Sequence, residues 1–130
     1  MHIDHVAFWT RDLEGEKDFF LKYFDCRAGS KYINPLKGFS SYFISFSSGA
    51  RIELMKKEDI SGFSNGESIG ISHLAIIVGS REKVDSMTSL FETDGFIVKG
   101  RPRVTGDGYY ESIILDPEGN VIELMGDIGG

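Results

Sequence analysis

The sequence predicts an α+β fold of two tandem βαβββ modules, and three observations of internal similarity support this prediction. Residues 3–7, IDHVA, recur 68 positions later as residues 71–75, ISHLA. Residues 51–55, RIELM, recur 70 positions later as residues 121–125, VIELM. Single residues between these segments also match at the offset of 70 without a gap: Gly38 with Gly108, Phe39 with Tyr109, Ile44 with Ile114, and Gly49 with Gly119. Similar segments in the same order indicate a duplicated unit.

The length of 130 residues is typical of one domain. We therefore expect a single domain over residues 1–130, made of a first module at about 1–57 and a second at about 69–126. The segment between them, about 58–68, is rich in Gly, Ser and Asn. This composition is typical of a linker.

Each module is predicted to begin with a strand that leads into a helix. Residues 2–9 and 73–79 are rich in the β-branched and aromatic side chains that favour strands. Asp12 and Ser80 are residue types that cap helices, and each precedes an apolar pattern at helical spacing. Gly95 is expected to end the second helix.

Three further strands are predicted in each module. The first lies near 28–33 and 96–101, the second near 40–46 and 109–115, and the third at 50–55 and 120–125. The last two strands of each module are joined by segments rich in turn-forming residues, namely 47–49 and 116–120.

The composition restricts the classes of partner. The net charge of −6 argues against a binder of nucleic acid or of anionic membranes, because both require a positive surface field. The chain has no apolar run of about 20 residues and no signal-peptide pattern at its start, so a cytoplasmic location is the default expectation. The single Cys26 is expected to be an apolar filler without chemistry. A small molecule is the expected partner.

Two histidines and two glutamates occupy equivalent places in the repeat, namely His5, Glu53, His73 and Glu123. Period-two alternation places each of them on the face opposite the apolar residues that would pack under the helices. A carboxylate in mostly apolar surroundings is costly unless it is neutralised, paired with a charge or bound to a cation. Any one of these residues alone would most often be a structural polar group, but their coincidence in both modules favours coordination of a metal ion.

The donor types suggest which metal. Imidazole nitrogens and carboxylate oxygens together suit Zn, Ni, Co, Mn or Fe better than Ca or Mg. We therefore expect one divalent ion per site.

The sequence resembles the vicinal oxygen chelate superfamily, and within it glyoxalase I (lactoylglutathione lyase), over nearly the whole chain. The resemblance is carried by residues 3–7, 51–55 and 72–75, and by the D-P-x-G-x-x-x-E-L pattern of residues 116–124. It implies a curved mixed sheet around a metal site, with His5, Glu53, His73 and Glu123 as ligands and two waters completing an octahedron. Short members often use Ni or Co and longer ones Zn.

The resemblance also implies a reaction. Glu123 would act as the base that moves a proton between adjacent carbons of a hemithioacetal through a metal-bound enediolate, and Glu53 would be a ligand and second base. Extradiol dioxygenases and fosfomycin-modifying enzymes lack a carboxylate at the position of Glu53, and epimerases usually have Gln there. The expected enzyme is thus a lyase of the glyoxalase I type.

The residues that would contact the substrate depart from the family pattern. Glutathione-using members carry Arg and Asn where this chain has Trp9 and Lys57, so glutathione is not the expected thiol. Trp9 is as well explained as a core or rim aromatic. The basic run Lys99, Arg101 and Arg103 is more often a solvated strand edge. The residues proposed to line the substrate pocket are Trp9, Met55, Lys99, Arg101, Tyr109 and Met125.

The sequence leaves two alternative functions open. One is a metal-poor protein of the bleomycin-resistance type that binds a small molecule, and another is a different enzyme of the superfamily, such as an epimerase or a dioxygenase. A homodimer is expected, and the four ligands would come either from one chain or from the first module of one subunit and the second module of the other.

Overall fold

The computed structural model describes residues 1–63 and 68–127. The chain divides into two compact units, Met1–Phe63 and Ser64–Gly130, and each contains one helix and one mixed sheet. The predicted α+β class is confirmed, and so is the predicted order of elements, except that the first unit has one additional strand. The extent of a single domain over 1–130 stays a prediction. Part of the predicted linker, residues 64–67, lies outside the described residues.

The first unit contains five strands and one helix. The order in the sheet is β1-β5-β4-β2, with β3 also paired to β4; β1 runs parallel to β5 and the other pairs are antiparallel. The elements are β1 (His5–Trp9), α1 (Leu13–Tyr23), β2 (Arg27–Ala28), β3 (Tyr32–Asn34), β4 (Phe39–Ser45) and β5 (Arg51–Lys57).

The second unit repeats this arrangement with four strands. The order is β6-β9-β8-β7, and β6 runs parallel to β9 while the other pairs are antiparallel. The elements are β6 (Leu74–Gly79), α2 (Arg81–Thr93), β7 (Val98–Val104), β8 (Tyr110–Leu115) and β9 (Val121–Gly126).

The prediction of one strand near 28–33 is wrong, because this region forms the separate strands β2 and β3. Both pair with β4, and between them the Gly29 N–H donates to the Phe43 carbonyl, at 3.0 Å. Gly29 and Ser30 have weak strand preferences, so the chain leaves the sheet edge at that point.

The strand predicted at 96–101 is present but begins later, at Val98. Residues 95 and 96 are used instead to end α2. Gly95 has φ +91, its N–H donates to the Glu92 carbonyl, and the Phe96 N–H donates to the Phe91 carbonyl. These two bonds are the Schellman pattern, and the Phe91 and Phe96 rings pack edge to face at 5.6 Å beside it.

Both predicted helix caps are confirmed. The Asp12 side chain accepts from the Gly15 N–H at 2.9 Å, and the Ser80 side chain accepts from the Lys83 N–H at 3.2 Å. A side-chain acceptor satisfies an N–H that has no partner within the helix.

Each helix covers one face of its own sheet, and the core of each unit lies between them. Burying one such aliphatic or aromatic side chain contributes roughly 1.5–3 kcal/mol. The first core is made of Leu13, Phe19, Phe20, Phe24, Tyr42, Ile44, Ile52 and Leu54, and the second of Val84, Met87, Phe91, Ile114, Ile122 and Leu124. The opposite face of each sheet carries no helix of its own unit.

Neither helix among the described residues is long and apolar enough to cross a membrane.

Candidate metal centre

The first candidate pair of ligands lies on the helix-free face of the first sheet. His5 begins β1, and Glu53 lies on the adjacent parallel strand β5, opposite Ala7. Their side chains meet, with His5 Nε2 3.5 Å from Glu53 Oε1. Glu53 has 17% of its side-chain surface exposed and His5 38%. The pair is therefore a partly buried acid and base that solvent can reach.

The second unit holds the same pair in the same arrangement. Glu123 lies on β9 opposite Ala75, and His73 directly precedes β6. His73 Nε2 is 3.1 Å from Glu123 Oε1, and the Glu123 side chain is 14% exposed. The duplication seen in sequence thus extends to side-chain geometry.

The residue before each histidine orients its ring. His5 Nδ1 is 2.8 Å from Asp4 Oδ2, and His73 Nδ1 is 3.0 Å from Ser72 Oγ. The hydrogen bond to His5, followed by that from Arg51, lowers the pKa of Asp4. An ionised carboxylate only accepts hydrogen bonds, so His5 Nδ1 donates to Asp4, and Nε2 is the ring nitrogen that faces Glu53.

The Asp4 carboxylate is itself held in place. Arg51 Nη2 donates to Asp4 Oδ2 at 2.7 Å, and the Arg51 guanidinium carbon lies 4.2 Å from the centre of the Phe43 ring. Phe43 also packs edge to face on His5, with ring centres 5.2 Å apart. Asp4 and Phe43 thus contact the His5 ring, and Arg51 contacts both of them.

The donors fit a divalent cation. An unprotonated imidazole nitrogen and a carboxylate oxygen are both acceptors, so they attract each other only through a proton or a metal ion. Two ligand bonds of about 2.1 Å at an angle of about 90° would place nitrogen and oxygen about 3.0 Å apart. The distance in the second pair, 3.1 Å, is close to this value, and that in the first pair, 3.5 Å, is longer.

Each pair alone contains two candidate ligands. Within residues 1–63 and 68–127, no three histidine, cysteine or acidic side chains form a group that could hold a metal ion. The structure brings His5 to Glu53 and His73 to Glu123, and the four-ligand set stays a prediction.

We call the helix-free face that carries the His–Glu pair the ligand face of each sheet. Sequence reasoning missed a carboxylate on the ligand face of the second sheet, that of Glu111. On β8, Ile113 lies opposite Glu123 and Glu111 lies two residues earlier on the same side. Glu111 is 9% exposed, and burial together with the charge of Glu123 raises its pKa. The alternation of β8 could have identified it from the sequence.

Glu111 has a cationic neighbour. Arg103 lies directly opposite it on β7, donates to its backbone carbonyl at 3.3 Å and approaches its carboxylate at 3.9 Å. Arg103 therefore lies on the ligand face of the second sheet.

The other basic residues of that strand are placed differently. Arg101 forms an ion pair with Glu92 at the end of α2, so its side chain lies beside the helix. Lys99 is exposed. The assignment of Lys99 and Arg101 to a substrate pocket stays a prediction that the Arg101 contact does not support.

The remaining residues proposed for the pocket lie near the pairs within their own units. Met55 lies two residues after Glu53, and Met125 two residues after Glu123; both are half-buried on the ligand faces. Trp9 lies opposite Met55 and is 47% exposed. Tyr109 is half-buried in the turn that Thr105 closes through its hydrogen bonds with Tyr109.

The family model described as Glyoxalase/Bleomycin resistance protein/Dioxygenase superfamily matches residues 2–124. No curated protein matches the chain closely enough to count as a relative.

Solved structures share the fold at low identity. A glyoxylase/bleomycin resistance protein/dioxygenase domain from Frankia sp. EAN1pec is 16% identical, with a TM-score of 0.83 and coverage of 98% of both chains. The trypanothione-dependent glyoxalase I of Leishmania major is 18% identical, with a TM-score of 0.77, over 97% of this chain and 86% of that one. Glyoxalase I from Zea mays is 19% identical, with a TM-score of 0.77. It matches 95% of this chain, which spans only 44% of the maize chain.

Proposed function

Because the chain belongs to the Glyoxalase/Bleomycin resistance protein/Dioxygenase superfamily, we propose that it is a metal-dependent lyase or isomerase of the glyoxalase I type. One observation carries the proposal. Two equivalent His–Glu pairs, at 3.5 and 3.1 Å, each have the histidine Nδ1 engaged by the preceding side chain. This arrangement leaves each Nε2 facing a carboxylate, which is the arrangement of a metal ligand with an outer hydrogen-bond partner.

The proposed ligands are His5, Glu53, His73 and Glu123, and the proposed ion is Ni, Co or Zn, with Mn or Fe also compatible with the donors. When bound, the ion would polarise two neighbouring substrate oxygens and stabilise negative charge on them. The pairs would combine within one chain or between two subunits of a homodimer, which sedimentation would detect as a doubled mass.

In the proposed reaction, Glu123 removes the proton from the hydroxyl-bearing carbon of an α-hydroxy carbonyl substrate and returns it to the adjacent carbonyl carbon. The hydroxyl proton passes to the former carbonyl oxygen, so the hydroxyl and carbonyl groups exchange places. No oxidant or reductant is needed, because the product is an isomer. The position of the Glu123 carboxylate supports this role, because it is partly buried, 14% exposed, and lies 3.1 Å from His73 Nε2. Glu53, similarly shielded, is proposed as a ligand and second base.

The proposed substrate is a hemithioacetal formed from a 2-oxoaldehyde and a small thiol. Trp9 is exposed on the ligand face, and the Lys57 ammonium lies 3.7 Å from the Asp59 carboxylate. A paired lysine and an indole do not match the polar groups of glutathione, so the thiol is proposed to be another one.

The test is isomerisation of methylglyoxal by protein reconstituted with Ni, Co or Zn, in the presence of several thiols including glutathione. We expect thioester formation with at least one metal and thiol. Glu123→Gln should reduce turnover by about 10²–10⁴-fold, because it removes the base while keeping the shape. Glu58→Gln, an exposed residue outside the pairs, is the matched control. Unchanged turnover in Glu123→Gln, or no turnover by the wild type with any metal and thiol, would contradict the proposal.

A second candidate function is binding of a flat small molecule without catalysis. The observation that favours it is the exposure of two aromatic side chains on the ligand face of the first sheet, Trp9 at 47% and Tyr32 at 53%. A protein of this kind would bind its ligand equally well before and after metal removal by a chelator.

A further inference from the structure

Three aromatic side chains form a cluster on the ligand face of the first sheet. Trp9 and Phe39 pack edge to face with ring centres 6.3 Å apart, and Tyr32 and Phe39 have ring centres 6.0 Å apart. We call Trp9, Phe39 and Tyr32 the aromatic platform. The side-chain amide of Asn34 donates to the Tyr32 hydroxyl at 3.3 Å and helps to hold that ring.

The platform lies on the same face as the first His–Glu pair. Trp9 is opposite Met55 on β5, and Met55 is two residues from Glu53. Residues two apart on a strand point the same way and are separated by about 7 Å. A ligand group of the size of one ring would therefore reach from the platform to the Glu53 carboxylate.

Packing of the unit does not explain the platform. Its core lies on the helix side of the sheet, whereas Trp9 and Tyr32 remain 47% and 53% exposed. The equivalents of Trp9 and Phe39 in the second module are Ile77 and Tyr109, so the duplicated fold does not require three aromatic rings here. The exposed surfaces of Trp9 and Tyr32 are thus available to a flat group.

The charges beside the platform favour a neutral group. Lys57 lies opposite Phe39 on β5, and its ammonium is 3.7 Å from the Asp59 carboxylate. Arg51, at the other end of β5, is paired with Asp4 at 2.7 Å. Arg51 and Lys57, which lie on the same face of β5 as Glu53, are thus paired with acids, and the platform itself is aromatic surface.

We infer that the substrate carries a planar aromatic ring that stacks on Trp9, Phe39 and Tyr32 while its vicinal oxygens face the His5–Glu53 pair. The substrate class is an aryl-substituted α-hydroxy carbonyl compound, such as the hemithioacetal of an arylglyoxal. This inference rests on the proposed function for the oxygens, whereas the ring contact concerns the platform alone.

Trp9 is the only tryptophan in the chain, so its fluorescence reports ligand binding at the platform directly. The metal-free protein is titrated with benzamide and with cyclohexanecarboxamide, which differ in having a flat or a puckered ring. The nickel-loaded protein is titrated with mandelate and with hexahydromandelate, which differ in the same way and carry vicinal oxygens. We expect the aromatic member of each pair to bind about fivefold more tightly.

Two variants locate the effect. Tyr32→Leu and Phe39→Leu keep apolar side chains but remove aromatic rings, and each should reduce the preference for the aromatic compound to less than about twofold. Ile33→Ala is the control, because Ile33 lies next to Tyr32 on β3, is 60% exposed and points to the other face. It should leave the preference unchanged.

Equal affinity for flat and puckered rings in both titrations would overturn the inference. A preference for benzamide that is absent for mandelate on nickel-loaded protein would overturn the substrate class. The inference would also be overturned if Trp9 emission changed with protein concentration but with none of the four compounds. The platform would then contact a second copy of the chain. If nickel does not bind while benzamide is still preferred, the proposed function fails and the platform stands.

Discussion

The two candidate histidines differ in the residue that holds Nδ1, although their Nε2 atoms face equivalent glutamates. Asp4 is an anion that is fixed by Arg51, whereas Ser72 is a neutral hydroxyl. A carboxylate partner increases the basicity of an imidazole ligand more than a hydroxyl does. We therefore expect the two histidines to contribute unequally to metal binding.

Removal of these partners is a direct test at the residue scale. Asp4→Ala should weaken metal affinity by about 10–100-fold, because the His5 ring loses both its orientation and its proton acceptor. Ser72→Ala should have a smaller effect in the same direction. The measurement is competition of nickel binding against a chromophoric chelator.

The control for these variants is Ser86→Ala, an exposed serine of α2 whose hydroxyl bonds only to the Lys83 carbonyl in the described structure. Metal affinities of Asp4→Ala and Ser72→Ala that both stay within about twofold of this control would refute a role for the preceding residue.

Cys26 gives a prediction about pH. Burial raises the pKa of its thiol from 9.0 to about 11, and the thiol donates to the Phe20 carbonyl at 3.2 Å. At pH 8 the thiolate should thus be about a hundredfold scarcer than in the unfolded chain, and alkylation by iodoacetamide slower by a similar factor. The rate profile should rise toward pH 11, and the comparison is the same protein in urea.

The sign of the stability effect follows from the same shift. The folded state keeps its proton while the unfolded state loses it, so Cys26 lowers the free energy of unfolding as pH rises from about 9 to about 11. Equal alkylation rates for the folded and urea-unfolded protein at pH 8 would contradict the account of a shielded thiol.

The sequence predicted the positions of individual side chains only where alternation along one strand determines them. Period two was sufficient to place His5 and Glu53 on one face, and the structure has them 3.5 Å apart. The interaction of Arg51 with Asp4 depends on the parallel pairing of two strands far apart in sequence, and alternation within one strand does not contain that register.

At the scale of elements, the helices were the easiest to predict, because caps and apolar spacing are local signals. The division into β2 and β3 was missed. Gly29 and Ser30 have weak strand preferences, but whether they interrupt the strand depends on its pairing with β4, which is distant in sequence. The late start of β7 was missed because Phe96, a good strand former, is held by the Phe91 carbonyl at the end of α2.

The last hairpin depends on one buried carboxylate. Asp116 is 4% exposed and accepts three hydrogen bonds, from the Glu118 N–H at 2.9 Å and from the Asn120 N–H and side-chain amide at 2.9 and 2.8 Å. Asp116→Ala leaves these donors without their acceptor and should lower the free energy of unfolding by about 2 kcal/mol. Urea unfolding followed by circular dichroism measures this change.

Asp59→Ala is the matched control, because Asp59 is 71% exposed and its contact with Lys57 is a surface ion pair. It should change the free energy of unfolding by less than about 0.5 kcal/mol. Similar values for Asp116→Ala and Asp59→Ala would show that the turn does not depend on the Asp116 carboxylate.

At the scale of the whole molecule, the duplication gives each unit half of the proposed four-ligand set. Each unit folds around its own helix and exposes its own His–Glu pair, and each pair supplies two donors. A divalent transition ion needs four or more ligands, so one pair with water would bind it only weakly. We therefore propose that the His5–Glu53 and His73–Glu123 pairs bind one ion together.

Metal stoichiometry tests this claim most directly. Tag-free protein is saturated with nickel, passed through a desalting column and measured by inductively coupled plasma mass spectrometry, together with His5→Ala, His73→Ala and the surface variant Glu58→Gln. We expect about one ion per chain in the wild type and in Glu58→Gln, and less than about 0.2 in either histidine variant, because both pairs are needed. Full retention of the ion in His5→Ala or in His73→Ala, or no retained metal in the wild type, would contradict the shared site.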